Sequence, residues 1–260
     1  MNTLEKIVRH KINEVEYRKN FIKESELVTR LFFNREVVSL TKSLSKKAPG
    51  IIAEFKRKSP SKNNINIDAN SVQITNNYQD NGAAAVSILT DNKFFKGHEK
   101  DILDARNNLS IPILRKEFIV DTYQILEAKS IGSDVILLIA EILSKTELRE
   151  LARFAKELKL EVLMEIHDIT QLKKLTDDVD IIGVNNRDLT KFETDPMRSY
   201  ELFPKLPTDR TLISESGIRD AQTIIKLRDR GFNGFLIGEY FMEAEDPGAT
   251  LQKLISEVKG

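Results

Sequence analysis

The chain has 260 residues, of which 40% are hydrophobic and 31% charged, so it can bury one large core or two small ones. Its 40 basic residues balance 40 acidic ones, which excludes a bulk charge that would attract nucleic acid or an anionic membrane. The absence of cysteine excludes disulfides, thiolate metal sites and a cysteine nucleophile, and it agrees with a cytoplasmic location. The sequence contains neither the apolar core of a signal peptide nor an apolar run long enough to span a bilayer, so we expect neither a signal peptide nor a transmembrane helix.

Residues 1–49 precede the first predicted strand and contain apolar residues at helical spacing. One predicted helix carries its apolar face on Leu4, Ile7, Val8, Ile12 and Val15. A second helix is predicted around Phe32, Phe33, Val37 and Val38. This extension could plug the bottom of the following domain or cover its mouth, and the pattern favours neither. We expect one domain over 1–260, with the helical extension at 1–49 and a barrel at 50–260.

From residue 50 onward, a short apolar run followed by an amphipathic segment recurs eight times. The runs begin at Gly50, Ala83, Ile111, Ser133, Leu160, Ile181, Thr211 and Gly234. Continuous apolar runs indicate parallel strands that are buried on both faces. Helices are predicted at 144–159, 220–230 and 247–258, the first with a capping box from Ser144 to Glu147. Eight such units predict an α/β fold, a (βα)8 TIM barrel; the rival open doubly wound sheet would carry a G-x-G-x-x-G motif, which is absent.

Polar side chains gather at the predicted carboxyl ends of five strands. They are Glu54 and Lys56, Lys116, Glu165, Asn185 and Arg187, and Glu215 and Ser216. Residues two apart on a strand point to the same side, and barrel enzymes hold their chemistry at this end. The alternative is a paired ion network without a catalytic role. Charge at one end of five strands favours a site, because unpaired buried charges are costly.

A phosphate site is predicted beside strands seven and eight. The turns Glu215–Ser216–Gly217 and Ile237–Gly238–Glu239 end these strands, where barrels often bind phosphate through backbone N–H groups. Ordinary strand-to-helix turns are the alternative.

Two further features near the strand ends each allow a functional and a structural role. Phe94 and Phe95 follow strand two and could form an apolar wall for a flat ring, or belong to the core. His167 is in phase with Glu165, but no third ligand is evident, so a metal site is not expected.

The order of these motifs resembles the indole-3-glycerol phosphate synthase family over nearly the whole chain. The motifs are IAEFKRKSPSK (52–62), LTDNKFFKG (89–97), LRKEFI (114–119), LMEIH (163–167), GVNNRDL (183–189), SESGI (214–218) and LIGEYFM (236–242). The resemblance implies conversion of a carboxyphenylamino-deoxyribulose 5-phosphate into indole-3-glycerol phosphate, carbon dioxide and water, in tryptophan biosynthesis. It implies no metal and no organic cofactor, and it allows weak association with other enzymes of that pathway.

The resemblance also assigns roles to residues by position. Lys116 matches the general acid and Glu165 the general base of the dehydration, while Glu54 and Asn185 match residues that orient the lysine. The division of proton transfer between Lys56 and Lys116 stays open. Positions matching substrate contacts are Ser59, Phe94, Phe118, Arg187, Glu215 and Ser216, and positions matching the phosphate turns are Gly217, Gly238 and Glu239.

Three other functions make different demands on the sequence. A sister barrel, phosphoribosylanthranilate isomerase, requires a catalytic cysteine that this chain lacks. A Schiff-base aldolase would use a buried lysine as its nucleophile. A non-catalytic phosphate-binding barrel would have no reason to retain costly charges such as Glu54 and Lys116.

Overall fold

The computed structural model describes residues 3–187 and 194–260; the last two residues of the motif at 183–189 lie outside these ranges. The strands are β1 (Gly50–Phe55), β2 (Ala85–Leu89), β3 (Ile113–Lys116), β4 (Val135–Ile139), β5 (Glu161–Ile166), β6 (Ile181–Asn185), β7 (Thr211–Glu215) and β8 (Gly234–Ile237). The α-helices are α1 (Thr3–Phe21), α2 (Glu24–Leu27), α3 (Leu40–Lys46), α4 (Ser71–Asp80), α5 (Asn92–Phe95), α6 (Glu99–Arg106), α7 (Thr122–Ser130), α8 (Lys145–Glu157), α9 (Met197–Leu202), α10 (Ala221–Arg230), α11 (Glu239–Met242) and α12 (Pro247–Lys259). Two 3₁₀ helices cover Ile169–Lys174 and Phe203–Lys205. None of the helices within these ranges is long and apolar enough to cross a membrane.

The eight strands pair in sequence order and close into a parallel barrel, which confirms the predicted fold. Successive side chains alternate between two apolar clusters because side chains along a strand point to opposite faces. On β5, Leu163 packs inside the barrel, while Val162 and Met164 pack between the strands and the surrounding helices. Burial on both faces explains the continuous apolar runs in the sequence.

The predicted helix caps are also present. The Ser144 hydroxyl accepts the N–H of Glu147, and the Glu147 carboxylate accepts the Ser144 N–H, which forms the expected capping box. Asp220 caps α10, and Pro247 occupies the first turn of α12. The segment between β5 and β6 departs from the strand–helix repeat, because it contains a 3₁₀ helix at Ile169–Lys174 in place of an α-helix.

The prediction of a helix around residues 32–38 is wrong. Residues 28–35 form turns and bends, residues 36–39 have no regular secondary structure, and α3 begins only after Ser39, whose side chain caps it. The chain is instead tied to Asp134, which accepts hydrogen bonds from the Val38 N–H at 2.7 Å and from the Arg35 guanidinium. These tertiary bonds outweigh a short apolar pattern with weak helix propensity.

The end of the extension closes the bottom of the barrel. Leu40 and Leu44 of α3 pack into the interior cluster, and Leu44 lies against Gly50 and Gly234, the first residues of β1 and β8. The Glu161 carboxylate, at the start of β5, accepts the N–H groups of Leu40 at 2.7 Å and Thr41 at 3.1 Å. A carboxylate at a helix N-terminus satisfies otherwise unpaired donors and interacts favourably with the helix dipole.

The start of the extension lies over the mouth. Lys11 of α1 is fully buried, and its Nζ lies 3.0 Å from Asp91 and 3.1 Å from Glu117, which follow β2 and β3. Burial acts to lower the pKa of Lys11, but Glu117, Asp91 and Glu14 outweigh it and raise that pKa. Both alternatives for the extension are therefore realised, by different helices.

We predict that Lys11→Met lowers the free energy of unfolding by about 3–5 kcal/mol, because it leaves two buried carboxylates without their cation. Urea unfolding measures this loss. The matched control is Lys19→Met on the same helix, which removes a half-exposed pair with Asp121 and should cost less than about 1 kcal/mol. Equal losses for the two variants would contradict the importance of the buried cluster.

Candidate active site

A cavity of about 430 Å³ opens at the carboxyl ends of the strands. It is lined by residues from α1, from the loops after several strands, and from the strand ends themselves. Of the residues predicted for a site, it contains Glu54, Lys56, Lys116, Phe118, Glu165, Asn185, Arg187, Glu215, Ser216, Gly217, Gly238 and Glu239.

Lys116 lies at the centre of the charged part of this cavity. Its Nζ donates to Glu165 at 2.7 Å and to Glu215 at 2.5 Å. Both carboxylates are buried, whereas the lysine side chain keeps 16% of its surface exposed, towards the cavity. The ammonium therefore sits between two acids and has one open side.

The three groups change one another's pKa. For Lys116, burial acts to lower the pKa, but the charges of Glu165, Glu215 and Glu54 outweigh it and raise the pKa well above its usual value. For Glu165, burial acts to raise the pKa, but Lys116, His167 and the Asn185 amide outweigh it and lower the pKa to about 2. For Glu215, burial prevails, with a contribution from Glu165, and raises the pKa to about 8. At neutral pH the cluster holds an ammonium, a carboxylate and a carboxyl that is largely protonated.

Glu54 and Lys56 form a second pair beside this cluster. Lys56 Nζ lies 3.0 Å from Glu54 Oε1, and the Ser87 hydroxyl lies 3.4 Å from Glu54 Oε2. Gly238 passes close to this carboxylate, since a Cβ there would lie 2.6 Å from Glu54 Oε1. The pair thus joins the acid–base cluster to the turn after β8.

The turns after β7 and β8 reach the same cavity. Ser216 and Gly217 both have positive φ, of 73° and 78°. Glu239 lies with its carboxylate 3.7 Å from Arg219 and 4.0 Å from Arg187, so its charge is partly neutralised by two guanidinium groups. Backbone N–H groups of such turns are suited to binding an anion.

An aromatic wall is present, but its members differ from those predicted. Phe95 and Phe118 both line the cavity, with ring centroids 5.9 Å apart. Phe94 lies outside the cavity and packs edge-on against His10 of α1 at 5.9 Å. The short helix α5 points its two adjacent phenylalanines in different directions, and only Phe95 faces inward.

Ser59 also lies outside the cavity. It is buried in a turn in which its N–H donates to the Lys62 carbonyl at 2.9 Å, and its hydroxyl lies 3.1 Å from that of Ser61. Ser61 lines the cavity instead, and the Arg187 guanidinium reaches its hydroxyl at 3.4 Å.

His167 is a buried cavity residue whose two ring nitrogens have no hydrogen-bond partner among the described residues. Its Nε2 lies 3.5 Å from Glu165 Oε1. No group of three or more His, Asp or Glu side chains within residues 3–187 and 194–260 is placed to hold a metal ion.

Some site residues could not be found from the sequence. Thr3, Leu4 and Ile7 of α1 line the cavity, although their apolar spacing did not reveal which surface they cover. Gly183 on β6 leaves room for the Glu215 carboxyl, because a Cβ at Gly183 would lie 2.0 Å from Glu215 Oε1. A glycine within a β-strand marks such a close approach, and this was the available signal.

Comparison with known proteins gives one consistent result. The family model described as indole-3-glycerol phosphate synthase matches residues 4–254. A Bacteroides thetaiotaomicron protein of that name is 44% identical over 256 residues, covering 98% of each chain, and one from Campylobacter jejuni subsp. doylei is 44% identical over 88% of this chain and 89% of its own. A tryptophan synthase alpha-subunit from Pyrococcus furiosus matches with a TM-score of 0.60 at 17% identity, over 81% of this chain and 98% of its own. This last likeness concerns the fold alone.

We predict that Glu215→Gln gains stability relative to the unsubstituted protein as pH rises from about 4.5 to about 8. A carboxyl whose folded pKa is raised favours the folded state below its unfolded pKa and loses that contribution as pH rises through its folded pKa. Urea unfolding of both proteins across this window tests the sign. Parallel stability curves would contradict a raised pKa at Glu215.

Proposed function

The chain belongs to the indole-3-glycerol phosphate synthase family, and we propose that its chemistry is carried by Lys116 and Glu165. It is a carboxy-lyase of tryptophan biosynthesis that acts on a small phosphorylated substrate, 1-(2-carboxyphenylamino)-1-deoxy-D-ribulose 5-phosphate. Ring closure, loss of carbon dioxide and loss of water give indole-3-glycerol phosphate. The observation that carries the residue assignment is the Lys116 ammonium held 2.7 Å from the Glu165 carboxylate, with one side open to the cavity.

Lys116 acts as the general acid in this proposal. The carbonyl oxygen of the substrate gains electrons as the anthranilate ring carbon attacks the carbonyl carbon, and it needs a proton or a positive charge. Two buried acids raise the pKa of Lys116, so the proton is present before the substrate binds. A preorganised ammonium in a partly desolvated cavity also stabilises the developing oxyanion.

Glu165 acts as the general base that removes a proton during dehydration. Lys116 and the other neighbours hold its pKa at about 2, so it is ionised when the substrate enters. Movement of the Lys116 proton to the substrate weakens this stabilisation and makes Glu165 a stronger base at the later step. One ion pair thus supplies the acid first and the base afterwards.

The remaining cavity residues orient the substrate. Asn185 and the Glu54–Lys56 pair position the charged cluster, and Lys56 can share in proton transfer with Lys116. Phe118 with Phe95 would hold the anthranilate ring, and Arg187 is suited to a carboxylate. The phosphate would lie against the amides of the turns at Ser216, Gly217, Gly238 and Glu239.

Ser59 and Phe94 keep only supporting roles in this proposal. Ser59 shapes the loop that presents Ser61, and Phe94 anchors α5 against α1, so that Phe95 faces the ring of the substrate.

A Schiff-base aldolase is disfavoured by the same electrostatics. Imine formation needs a neutral amine, whereas Lys116 is held protonated by Glu165, Glu215 and Glu54. A non-catalytic barrel is disfavoured because its interior would retain three buried ionisable groups without using them.

Three wider proposals accompany this one. Residues 1–260 form a single domain, which is supported by the burial of Lys11 between the ends of β2 and β3. The enzyme works in the cytoplasm, in agreement with the lack of cysteine. A weak association with other enzymes of tryptophan synthesis is the third proposal, and the family resemblance alone supports it.

We predict that Lys116→Met lowers kcat by at least about 10²–10⁴-fold while the apparent affinity for substrate changes less. Glu165→Gln should lower kcat severely and let an intermediate before dehydration accumulate. Steady-state kinetics by indole fluorescence and circular dichroism for folding measure both. Lys93→Met, an exposed lysine beside the mouth, is the control and should keep full activity. Near-normal turnover by folded Lys116→Met protein would refute its role as general acid.

We also predict that the enzyme turns over fully in the presence of EDTA, because the proposed acid and base are both side chains. The same fluorescence assay, run with and without chelator, measures this. Activity that disappears with EDTA and returns with an added divalent ion would contradict a metal-free reaction.

A further inference from the structure

The second asparagine of the motif GVNNRDL has no role in the chemistry above. Asn185 faces the cavity, whereas the next residue, Asn186, points the other way and is only 1% exposed. A buried amide has two donor hydrogens and one acceptor oxygen to satisfy, so its contacts show what it holds in place.

Every hydrogen-bonding capacity of the Asn186 side chain is used. Its Nδ2 donates to the Ser214 hydroxyl at 3.0 Å and to the Ser216 carbonyl at 3.1 Å. Its Oδ1 accepts the Ser199 N–H at 3.1 Å and the Ser199 hydroxyl at 2.7 Å. The side chain therefore connects the start of α9 to the turn after β7.

The bond to the Ser216 carbonyl fixes a peptide plane. The carbonyl of Ser216 and the N–H of Gly217 belong to one peptide unit, and in a planar trans unit they point in opposite directions. Because Asn186 holds the carbonyl towards the buried layer, the Gly217 N–H is turned away from that layer, on the side of the cavity that Gly217 lines. No described residue accepts a hydrogen bond from this N–H.

The conformation held in this way is one that serine adopts reluctantly. Ser216 has φ of 73°, in the left-handed region that disfavours residues with a Cβ. Gly217 follows with φ of 78°, and a Cβ there would lie 2.5 Å from Thr194 Cγ2. The turn thus needs an external contact at Ser216, and the Asn186 amide supplies it.

We propose that Asn186 is a positioning residue for phosphate recognition, which orients the Ser216–Gly217 peptide so that the Gly217 N–H meets the phosphate of the substrate. The proposal rests on the phosphate site given under the proposed function. It assigns the two adjacent asparagines to different tasks: Asn185 to the acid–base cluster, and Asn186 to the anion site. Asn186 touches no substrate and acts only through the backbone.

The test compares Asn186→Ala with the unsubstituted enzyme in steady-state kinetics, with inorganic phosphate as a competitive inhibitor. We expect the KM for substrate and the inhibition constant for phosphate to rise together, by about tenfold, the worth of roughly one hydrogen bond. The kcat per folded active site should change little, since the interaction serves ground state and transition state alike.

Ser199→Ala is the matched control, because it removes a bond in the same buried cluster and leaves the Ser216 peptide untouched. It should lower the melting temperature without changing KM. If Asn186→Ala does not fold, Asn186→Ser replaces it, since the shorter hydroxyl fits the space and does not reach the Ser216 carbonyl. Unchanged KM and phosphate inhibition in the folded variant would overturn the proposal. Lack of competition by phosphate in the unsubstituted enzyme would instead overturn the phosphate site itself.

Discussion

An ammonium enclosed by two buried glutamates, one ionised and one largely protonated at neutral pH, is the constraint around which the catalytic end of this barrel is arranged. Removing three ionisable groups from water is costly unless each keeps a partner, and Lys116, Glu165 and Glu215 are one another's partners. Their spacing depends on strands β3, β5 and β7, which the barrel holds rigidly. It also depends on Gly183, because a side chain at that position would occupy the space of the Glu215 carboxyl. Electrostatics at the mouth is thereby tied to packing within the wall.

The sequence predicted the features that arise from local patterns. All eight strands were located, because burial on both faces leaves a continuous apolar run that is interrupted only where polar groups begin. The cavity-facing set on the strands was located as well, because alternation along a strand determines which residues share a side. Lys116, Glu165 and Glu215 meet in space since their strands end at one edge of the barrel.

Features that depend on contacts between distant segments were not predictable. The tie between Val38 and Asp134 displaced the helix expected at residues 32–38. Phe95 lines the cavity and its neighbour Phe94 does not. Because the helix α5 has only four residues, it has no apolar periodicity from which the inward-facing phenylalanine could be predicted. Ser59 pairs with Lys62 in a turn that places Ser61, and not Ser59, at the cavity. No pattern in the sequence predicts this pairing. The two ends of the extension have similar apolar spacing, yet one helix covers the mouth and the other closes the bottom.

The arrangement of the extension has a consequence for how the protein is made. Residues 3–46 leave the ribosome before the strands of the barrel, but α1 binds to the ends of β2 and β3, and α3 binds to the start of β5. Until synthesis has passed those residues, α1 lacks its partner Glu117 at the end of β3, and α3 lacks its partner Glu161 at the start of β5. Lys11 and its acidic partners would meanwhile stay hydrated and apart. Such late, long-range contacts slow folding and leave an early segment open to wrong associations, so the nascent chain is most vulnerable to aggregation before β5 appears.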